Sequence, residues 1–334
     1  MNPAGNQYDV SDRLLLCASS NMRNEVVVGS HTDWVTSVTH LPNGKVLSGA
    51  MDGKLCLWSE RVRSQCIELQ CDSMHPISKV ISDVRSNIAM SCKYDGSIAV
   101  WNFGVSHSPG PVPLSYLSAH TEPVLECAYR GNTFVSGDKA GSMVIWDISR
   151  CQAKHRFRAH PGAITGLDCM EDRATVISCG TDGFVKVWDP RTAGPAGGSS
   201  AIACMAVSSS RGSSTDACYI VTGSGSATDS SLVVIDIRQG FRPVSRWDHH
   251  RNGVYSLCIA GDQCVISGDG MGTLLCHSLL GSELDDPRSC LKYGIGASEQ
   301  GAVRAIHCLN GKVVTAGEDG KVMVFDYDTG MFAS

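Results

Sequence analysis

Leu47-Ser48-Gly49-Ala50-Met51-Asp52-Gly53-Lys54-Leu55-Cys56-Leu57-Trp58 carries the pattern on which the fold turns: a Ser, three residues, an Asp-Gly step, then a run ending in Trp. Asp-Gly between two apolar runs signals a hairpin, because glycine accepts the positive φ that a tight turn needs. The pattern returns as Ser91, Asp95, Trp101 in 90–101, as Ser178, Asp182, Trp188 in 177–188, and as Thr315, Asp319, Phe325 in 314–325. Three weaker copies lie between these. Ser136 and Trp146 keep the spacing, with Ala140 in the place of Asp; Thr222, Asp229 and Ile235 carry a three-residue insertion; Ser267 is followed by Met271 and His277. The seven end positions, 58, 101, 146, 188, 235, 277 and 325, stand 42 to 48 residues apart along almost the whole chain.

Each repeat has the same grammar. An apolar or alternating run such as Val35 to Leu41 leads through a turn (Pro42 to Lys45) to a second run, the Asp-Gly turn and a third run. A fourth run often follows, as in 66–70 and 154–160. Four strands in about 45 residues, with no helical period, match one propeller blade per repeat. Upstream of most repeats stands a His: His31, His120, His160 and His250, with His75 one residue out of step. It lies 20 to 22 residues before the turn Asp or its replacement.

These residues resemble the WD-repeat family, whose marks are Gly-His, strand, Asp-Gly and Trp-Asp. The Gly-His mark is degenerate, reading Ser30-His31, Ala119-His120 and Ala159-His160, and the resemblance runs from about residue 25 to 326. It implies an all-β chain: a seven-bladed β-propeller of four-stranded antiparallel blades. The expected organisation is an extension over 1–24 and one propeller over 25–334, with repeats near 29–59, 73–102, 118–147, 158–189, 200–236, 248–278 and 298–326. Too little chain follows Asp326 for a last outer strand, and Glu25 to Val28 has no blade of its own. That run is expected to close the ring as the missing strand.

The His, Ser, Asp and Trp of one blade look like catalytic machinery. The resemblance assigns them instead to a buried Trp–Ser–His–Asp hydrogen-bond chain, and a buried polar group needs such partners. Full tetrads are expected in blade one (His31, Ser48, Asp52, Trp58), blade two (His75, Ser91, Asp95, Trp101) and blade four (His160, Ser178, Asp182, Trp188). Blade three lacks the spaced Asp, and blade five lacks both His and Trp. Blade six has Met271 and His277 where Asp and Trp belong; blade seven has Glu299 and Phe325 where His and Trp belong. Blades five to seven are therefore expected to be the softer half. Asp182→Ala is expected to cost about 1–3 kcal/mol through an unsatisfied buried partner, and the same change at Asp138, off the motif spacing, far less.

Composition narrows the function. Charged residues make up 18% and hydrophobic ones 43%, so the chain has a core and is not dominated by disorder. A net charge of −5 argues against nucleic-acid binding by bulk electrostatics. No run of 18 apolar residues exists to span a membrane as a helix. The first twenty residues have no basic n-region and no long apolar stretch; the expectation is a cytoplasmic protein, with nucleus and cilium left open. Sixteen cysteines with no C-x-x-C read as reduced, core-filling thiols. Cys276-His277 and His307-Cys308 are adjacent pairs within strands, so their side chains point to opposite faces and cannot chelate together. No metal site is expected. No P-loop, nucleophile elbow or H-E-x-x-H occurs, so neither a catalytic residue, a cofactor nor a small-molecule substrate is expected.

The expected partners are other proteins or peptides. In the family, loops before each turn Asp and around the starts of the first strands meet at one mouth of the channel. Carried onto this chain they are Met51, Tyr94, Lys139, Thr181, Thr228, Gly270 and Glu318, with Trp34, Thr36, Pro123, Tyr255 and Arg304 around the strand starts. Trp, Tyr, Met and Arg are enriched at interface hot spots. The partner-binding face is therefore read as Trp34, Met51, Tyr94, Lys139, Tyr255, Arg304 and Glu318.

Trp188-Asp189-Pro190-Arg191 is similar to the W-D-x-R box of receptors that dock on cullin-RING ubiquitin ligases, weakly repeated as Ile235-Asp236-Ile237-Arg238. Asp189, Arg191, Asp236 and Arg238 would form that docking surface; the plainer alternative is a polar strand end. Two functions follow: a non-catalytic scaffold, or a ligase substrate receptor. Lys154, Arg156 and Arg158 alternate along an expected outer strand, the pattern of an edge guarded by charge. The Phe-Arg-Arg-Gly signature of phosphoinositide-binding propellers is missing. Stretches rich in Gly, Ser and Pro at 105–113, 192–200 and 208–216, and the polar 281–288, are expected loops. Ser108-Pro109 in the first fits a proline-directed kinase only by a common dipeptide.

Overall fold

Alternation along each run, broken by Gly-containing turns every six to ten residues, produces sheets of short strands. A computed structural model describes residues 22–327 apart from 43, 60–65, 72, 84–86, 105–111, 131–132, 171–174, 190–191, 197–201, 209–218, 227, 238, 261–263, 280–289 and 295–300. Among these residues there are seven four-stranded antiparallel sheets and no helix. Blades one to six each use four consecutive strands. The seventh combines Val303–Leu309, Lys312–Gly317 and Lys321–Tyr327 with Met22–Ser30, the outermost strand, from the opposite end of the described chain.

That closing strand pairs Val26 with Val324, Val27 with Met323 and Ser30 with Lys321. It begins at Met22, three residues before the expected boundary. Val28 is buried in a cluster that joins blade seven (Val314, Val322, Val324) to blade one (Val38, Val46, Trp58). Gly29 lets the strand lie against Trp58: a Cβ there would stand 1.9 Å from the Trp58 Cζ3 atom. Gly29→Ala is therefore expected to push the closing strand off blade one and to cost about 1–3 kcal/mol. Thermal unfolding checks it, and a melting point equal to wild type would contradict the seam.

The core lies between blades. Leu47, Leu55 and Leu57 of blade one pack on Ile77, Val80 and Trp101 of blade two. Met90, Ile98 and Val100 of blade two pack on Val124, Phe134 and Trp146 of blade three. Second strands are covered on both faces and read as apolar runs, for example Val176–Gly180. Outer strands are exposed; Gln152–Arg158 is almost wholly so. The loop expected at 192–200 opens instead as the outer strand Thr192–Ala196, with Pro195 opposite Lys186. An edge strand tolerates a residue without an N–H, which is why Gly and Pro masked it. Likewise Pro113 opens the outer strand Pro113–Ser118. The loops 105–111 (with Ser108-Pro109), 197–200, 209–216 and 281–288 lie outside the described residues.

The polar chains form, though not all where the spacing placed them. In blade one Trp58 Nε1 donates to Ser48 Oγ at 2.6 Å, Ser48 meets His31 Nε2 at 2.7 Å, and His31 Nδ1 meets Asp52 at 3.1 Å. In blade four the distances are 2.7 Å (Trp188 to Ser178), 2.7 Å (Ser178 to His160) and 2.8 Å (His160 to Asp182). An ionised carboxylate can only accept, so Nδ1 carries the proton and the neutral ring accepts the serine O–H at Nε2. Burial holds His31 and His160 below the ordinary histidine range, consistent with neutral rings.

Three expectations are corrected. Blade three has its Asp: His120 Nδ1 meets Asp138 at 2.8 Å, and Ser136 joins His120 Nε2 (2.6 Å) to Trp146 Nε1 (2.8 Å). Asp138 stands two residues after Ser136 on the same strand, so both side chains project to one face, toward His120. From the strand end its Oδ1 also takes the Ala140 and Ser142 amides. Blade six repeats this with Asp269: His250 Nδ1 lies 3.1 Å away and its Nε2 2.7 Å from Ser267. The indole is replaced by His277, stacked 4.6 Å from Trp247 of blade five.

Blade two, in contrast, loses its His. His75 is 58% exposed at its side chain and stands 3.9 Å from Asp95. At the position that holds Asp138 in blade three, blade two has the buried Lys93, whose Nζ reaches Ser73 Oγ at 2.9 Å. Ser73 stands four residues before the first strand, the position that His31, His120, His160 and His250 hold in their blades. Trp101 still donates to Ser91 at 2.9 Å. In blade seven the buried Thr315 Oγ1 and Asp319 Oδ2 have no hydrogen-bond partner among the described residues, and Glu299 lies outside them.

Candidate protein-interaction face

The first strand of every blade lines the central channel, and every one breaks register at its second residue. The shifts fall between Val35 and Ser37, Ile77 and Lys79, Val124 and Glu126, Ile164 and Gly166, Ile202 and Cys204, Val254 and Ser256, and Val303 and Ala305. A bulge re-aims the residue it carries. The seven bulge residues, Thr36, Ser78, Leu125, Thr165, Ala203, Tyr255 and Arg304, all line one depression of about 340 Å³ at the channel mouth. Four are small, whereas Tyr255 and Arg304 build a tall wall over blades six and seven.

A second device fixes the loops above. The residue before the turn Asp, or before Ala140 and Met271 in its place, donates its N–H to a carbonyl just ahead of the first strand. The pairs are Met51 to Trp34 (2.9 Å), Tyr94 to Pro76 (3.0 Å), Lys139 to Pro123 (2.9 Å), Thr181 to Ala163 (3.0 Å), Gly270 to Gly253 (3.0 Å) and Glu318 to Ala302 (3.1 Å). The loop positions are thus set by backbone bonds that tolerate any side chain, leaving that side chain to face solvent.

Trp34, Met51 and Tyr94 join the same depression. Trp34 is 45% and Tyr94 38% exposed, large for aromatic groups on a folded surface. Arg304 lies 4.4 Å from the Tyr255 ring and 5.5 Å from that of Trp34. Its Nε donates to Glu318 at 2.9 Å. A cation stacked between two rings and held by a carboxylate is pre-organised for planar polar contacts. Lys139 is exposed on blade three but does not line the depression.

Below the mouth, Lys79 and Glu126 form an ion pair at 2.8 Å between blades two and three. Sequence spacing did not single them out, although both stand third in their strands, one residue past the bulge. Burial disfavours the charged lysine, but Glu126 outweighs it and leaves Lys79 above its usual range. Of the ligase-docking set, Asp189 ends a strand, Asp236 is buried and accepts from Gln239 Nε2 at 3.2 Å, and Arg191 and Arg238 lie outside the described residues. No group of three or more His, Cys, Asp or Glu among the described residues has metal-site geometry.

Comparison with known proteins agrees with this architecture. The family model "WD domain, G-beta repeat" matches residues 24–59 and 151–189. The chain is 23% identical over 185 residues to WD repeat-containing protein 91 homolog of Dictyostelium discoideum, covering 53% of this chain and 24% of that one. It is 21% identical over 182 residues to a guanine nucleotide-binding protein subunit beta of Saccharomyces cerevisiae, covering 52% and 42%. It is 29% identical over 113 residues to F-box/WD repeat-containing protein sel-10 of Caenorhabditis elegans, covering 34% and 19%. The matched part thus spans less than half the length of these relatives. The WD40 β-propeller domain of Doa1 superposes with a TM-score of 0.73 at 15% identity, over 93% of this chain and 99% of that one. A chain of the mitotic checkpoint complex superposes with 0.74 at 15% identity, over 98% and 95%.

Proposed function

We propose, from the premise that the chain is a seven-bladed WD-repeat β-propeller, that it is a non-catalytic scaffold whose channel mouth grips a protein or peptide segment. The observation that carries this reading is the convergence of Trp34, Met51, Tyr94, Tyr255 and Arg304, from four blades, on one depression. Each is set by a bulge or a loop bond, so the surface is rigid before binding and little ordering entropy is lost when a partner docks. Relatives whose names place them in G proteins, F-box proteins and the checkpoint assembly support a role in multiprotein complexes. The scaffold would work in the cytoplasm, where cysteine thiols stay reduced.

The test is affinity purification with mass spectrometry, comparing wild type with Trp34→Ala/Tyr255→Ala. Truncating two central aromatics is expected to cost a mouth-bound partner at least about 2 kcal/mol, roughly thirtyfold in affinity, with melting nearly unchanged because both side chains are partly exposed. An identical set of captured proteins would refute the reading. The second reading, a cullin-RING substrate receptor, draws on the Trp188–Arg191 box and the resemblance to sel-10. It requires a ligase adaptor in the wild-type capture that Arg191→Ala/Arg238→Ala removes.

A further inference from the structure

The outer edge of blade three differs from those of blades one and five. On blade one's outer strand Glu68 is paired with Lys54 at 2.9 Å. On blade five's, Arg246 is held by Asp229 at 3.0 Å and Asp248 at 3.1 Å. The strand Gln152–Arg158 presents Lys154, Arg156 and Arg158, all exposed, and no carboxylate among the described residues forms an ion pair with them. Arg158 is fixed by the carbonyls of His160 (3.3 Å) and Pro161 (2.9 Å), which orient its charge without neutralising it. Arg150, also exposed, extends the row at the turn before the strand. Asp147, ahead of the strand, accepts from Ser149 Oγ at 2.6 Å and the Arg150 amide at 3.2 Å and also interacts electrostatically with Arg150 and Lys154, leaving Arg156 and Arg158 as the uncompensated pair. In a chain of net charge −5, this is a local reversal of sign.

We propose that this edge docks an extended acidic segment of a protein partner. Such a chain presents side chains to one face every 6.6–6.8 Å or so, the repeat at which a strand offers its own, so alternate carboxylates meet Arg156 and Arg158. Lys154 stands at a bulge, opposite the step from Ile145 to Trp146, and extends the reach of the row beyond the regular register. From His155 to Arg158 the outer N–H and C=O groups lie on an open sheet edge and are available for strand addition. The cations deter neutral or basic strands and favour an acidic one. Nucleic acid fits less well: three or four cations on an acidic protein fall short of the six to ten or so phosphate contacts of firm binders, and no exposed Trp, Tyr or Phe accompanies them on this strand for base stacking.

The test is fluorescence anisotropy on the full chain with a labelled peptide of alternating glutamate and threonine, the same peptide with glutamine for glutamate, and a twenty-nucleotide oligo-dT. Wild type is expected to bind the glutamate peptide at least tenfold more tightly than the glutamine peptide and the oligonucleotide. Lys154→Glu/Arg156→Glu is expected to weaken it at least tenfold without altering the melting point, since both side chains are exposed. Trp34→Ala/Tyr255→Ala, at the mouth, is expected to leave it unchanged, which separates this edge from the scaffold reading. No binding by wild type, no effect of charge reversal, equal binding of the glutamine peptide, or tighter binding of the oligonucleotide would each overturn the proposal.

Discussion

Asp138→Ala is expected to be among the most damaging single changes in the ring, costing about 3 kcal/mol and lowering the melting point by ~4 °C for a chain of this length. Asp138 and His120 are both fully buried at their side chains, and the carboxylate serves three donors: His120 Nδ1 and the Ala140 and Ser142 amides. Alanine leaves all three without an acceptor, and His120 loses the group that holds its tautomer, so the bond to Ser136 weakens too. Asp182→Ala is expected to fall slightly lower, at about 1–3 kcal/mol, because its carboxylate lies nearer the surface, 7% exposed against 0% for Asp138. Asp95→Ala is expected to cost least, since His75 is already in solvent. Thermal unfolding of the three variants checks the order. Equal losses for Asp138→Ala and Asp95→Ala would contradict the geometry.

That order inverts what motif spacing implies, and the reason is local. Spacing records where a residue stands along the chain, whereas the tetrad needs a carboxylate on the face that carries Ser and opposite the His ring. Two solutions satisfy that need: an Asp in the turn, four residues after Ser, or one at the strand end, two residues after it. Ser136-Gly137-Asp138 and Ser267-Gly268-Asp269 use the second, and the shared Ser-Gly-Asp triplet was a legible signal. Blade two misleads the other way. His75, Ser91, Asp95 and Trp101 are all present, but His75 stands two residues, not four, before its first strand, and the buried Lys93 reaches Ser73 at the position the tetrad His would hold.

The ring itself was readable because its determinants are repeated: seven turns and seven apolar runs at near-constant spacing. The mouth was readable in part. Trp34, Met51, Tyr94, Tyr255 and Arg304 follow from loop positions, but the bulge that delivers the second residue of each first strand is a pairing property and leaves no residue-type mark. The Lys79–Glu126 pair and the contact between His40 and His307 join strands 47 and 267 residues apart. Their pairing depends on ring closure and on which blades become neighbours.

The His40–His307 contact yields a large pH effect. The two Nδ1 atoms lie 2.7 Å apart between the first strands of blades one and seven, at the seam that closes the ring. One imidazole donates and the other accepts, so the neutral pair shares a single proton at this contact. Burial, then His40, then Lys79 push His307 down to about 3. In the unfolded chain the same ring titrates near 6.5. Below pH 6.5 the unfolded state therefore takes up a proton that the native state refuses, and stability falls by about 1.4 kcal/mol per pH unit until the native ring titrates near its own value. At pH 4.5 His307 alone is expected to withdraw on the order of 2–3 kcal/mol. His31, His120 and His160, each lowered chiefly by burial, act in the same direction. In Asp52 and Asp182 burial raises the carboxyl, but hydrogen bonds outweigh it and leave each below its ordinary 3.8, so their stabilisation is lost only in stronger acid. Urea unfolding at pH 7.5, 5.5 and 4.5 separates the contributions. His307→Asn, which keeps a hydrogen-bonding group beside His40 without a titrating ring, is expected to start less stable at pH 7.5 and to lose about 1.4 kcal/mol less per pH unit below 6.5. Parallel losses in wild type and variant would show that the seam does not titrate.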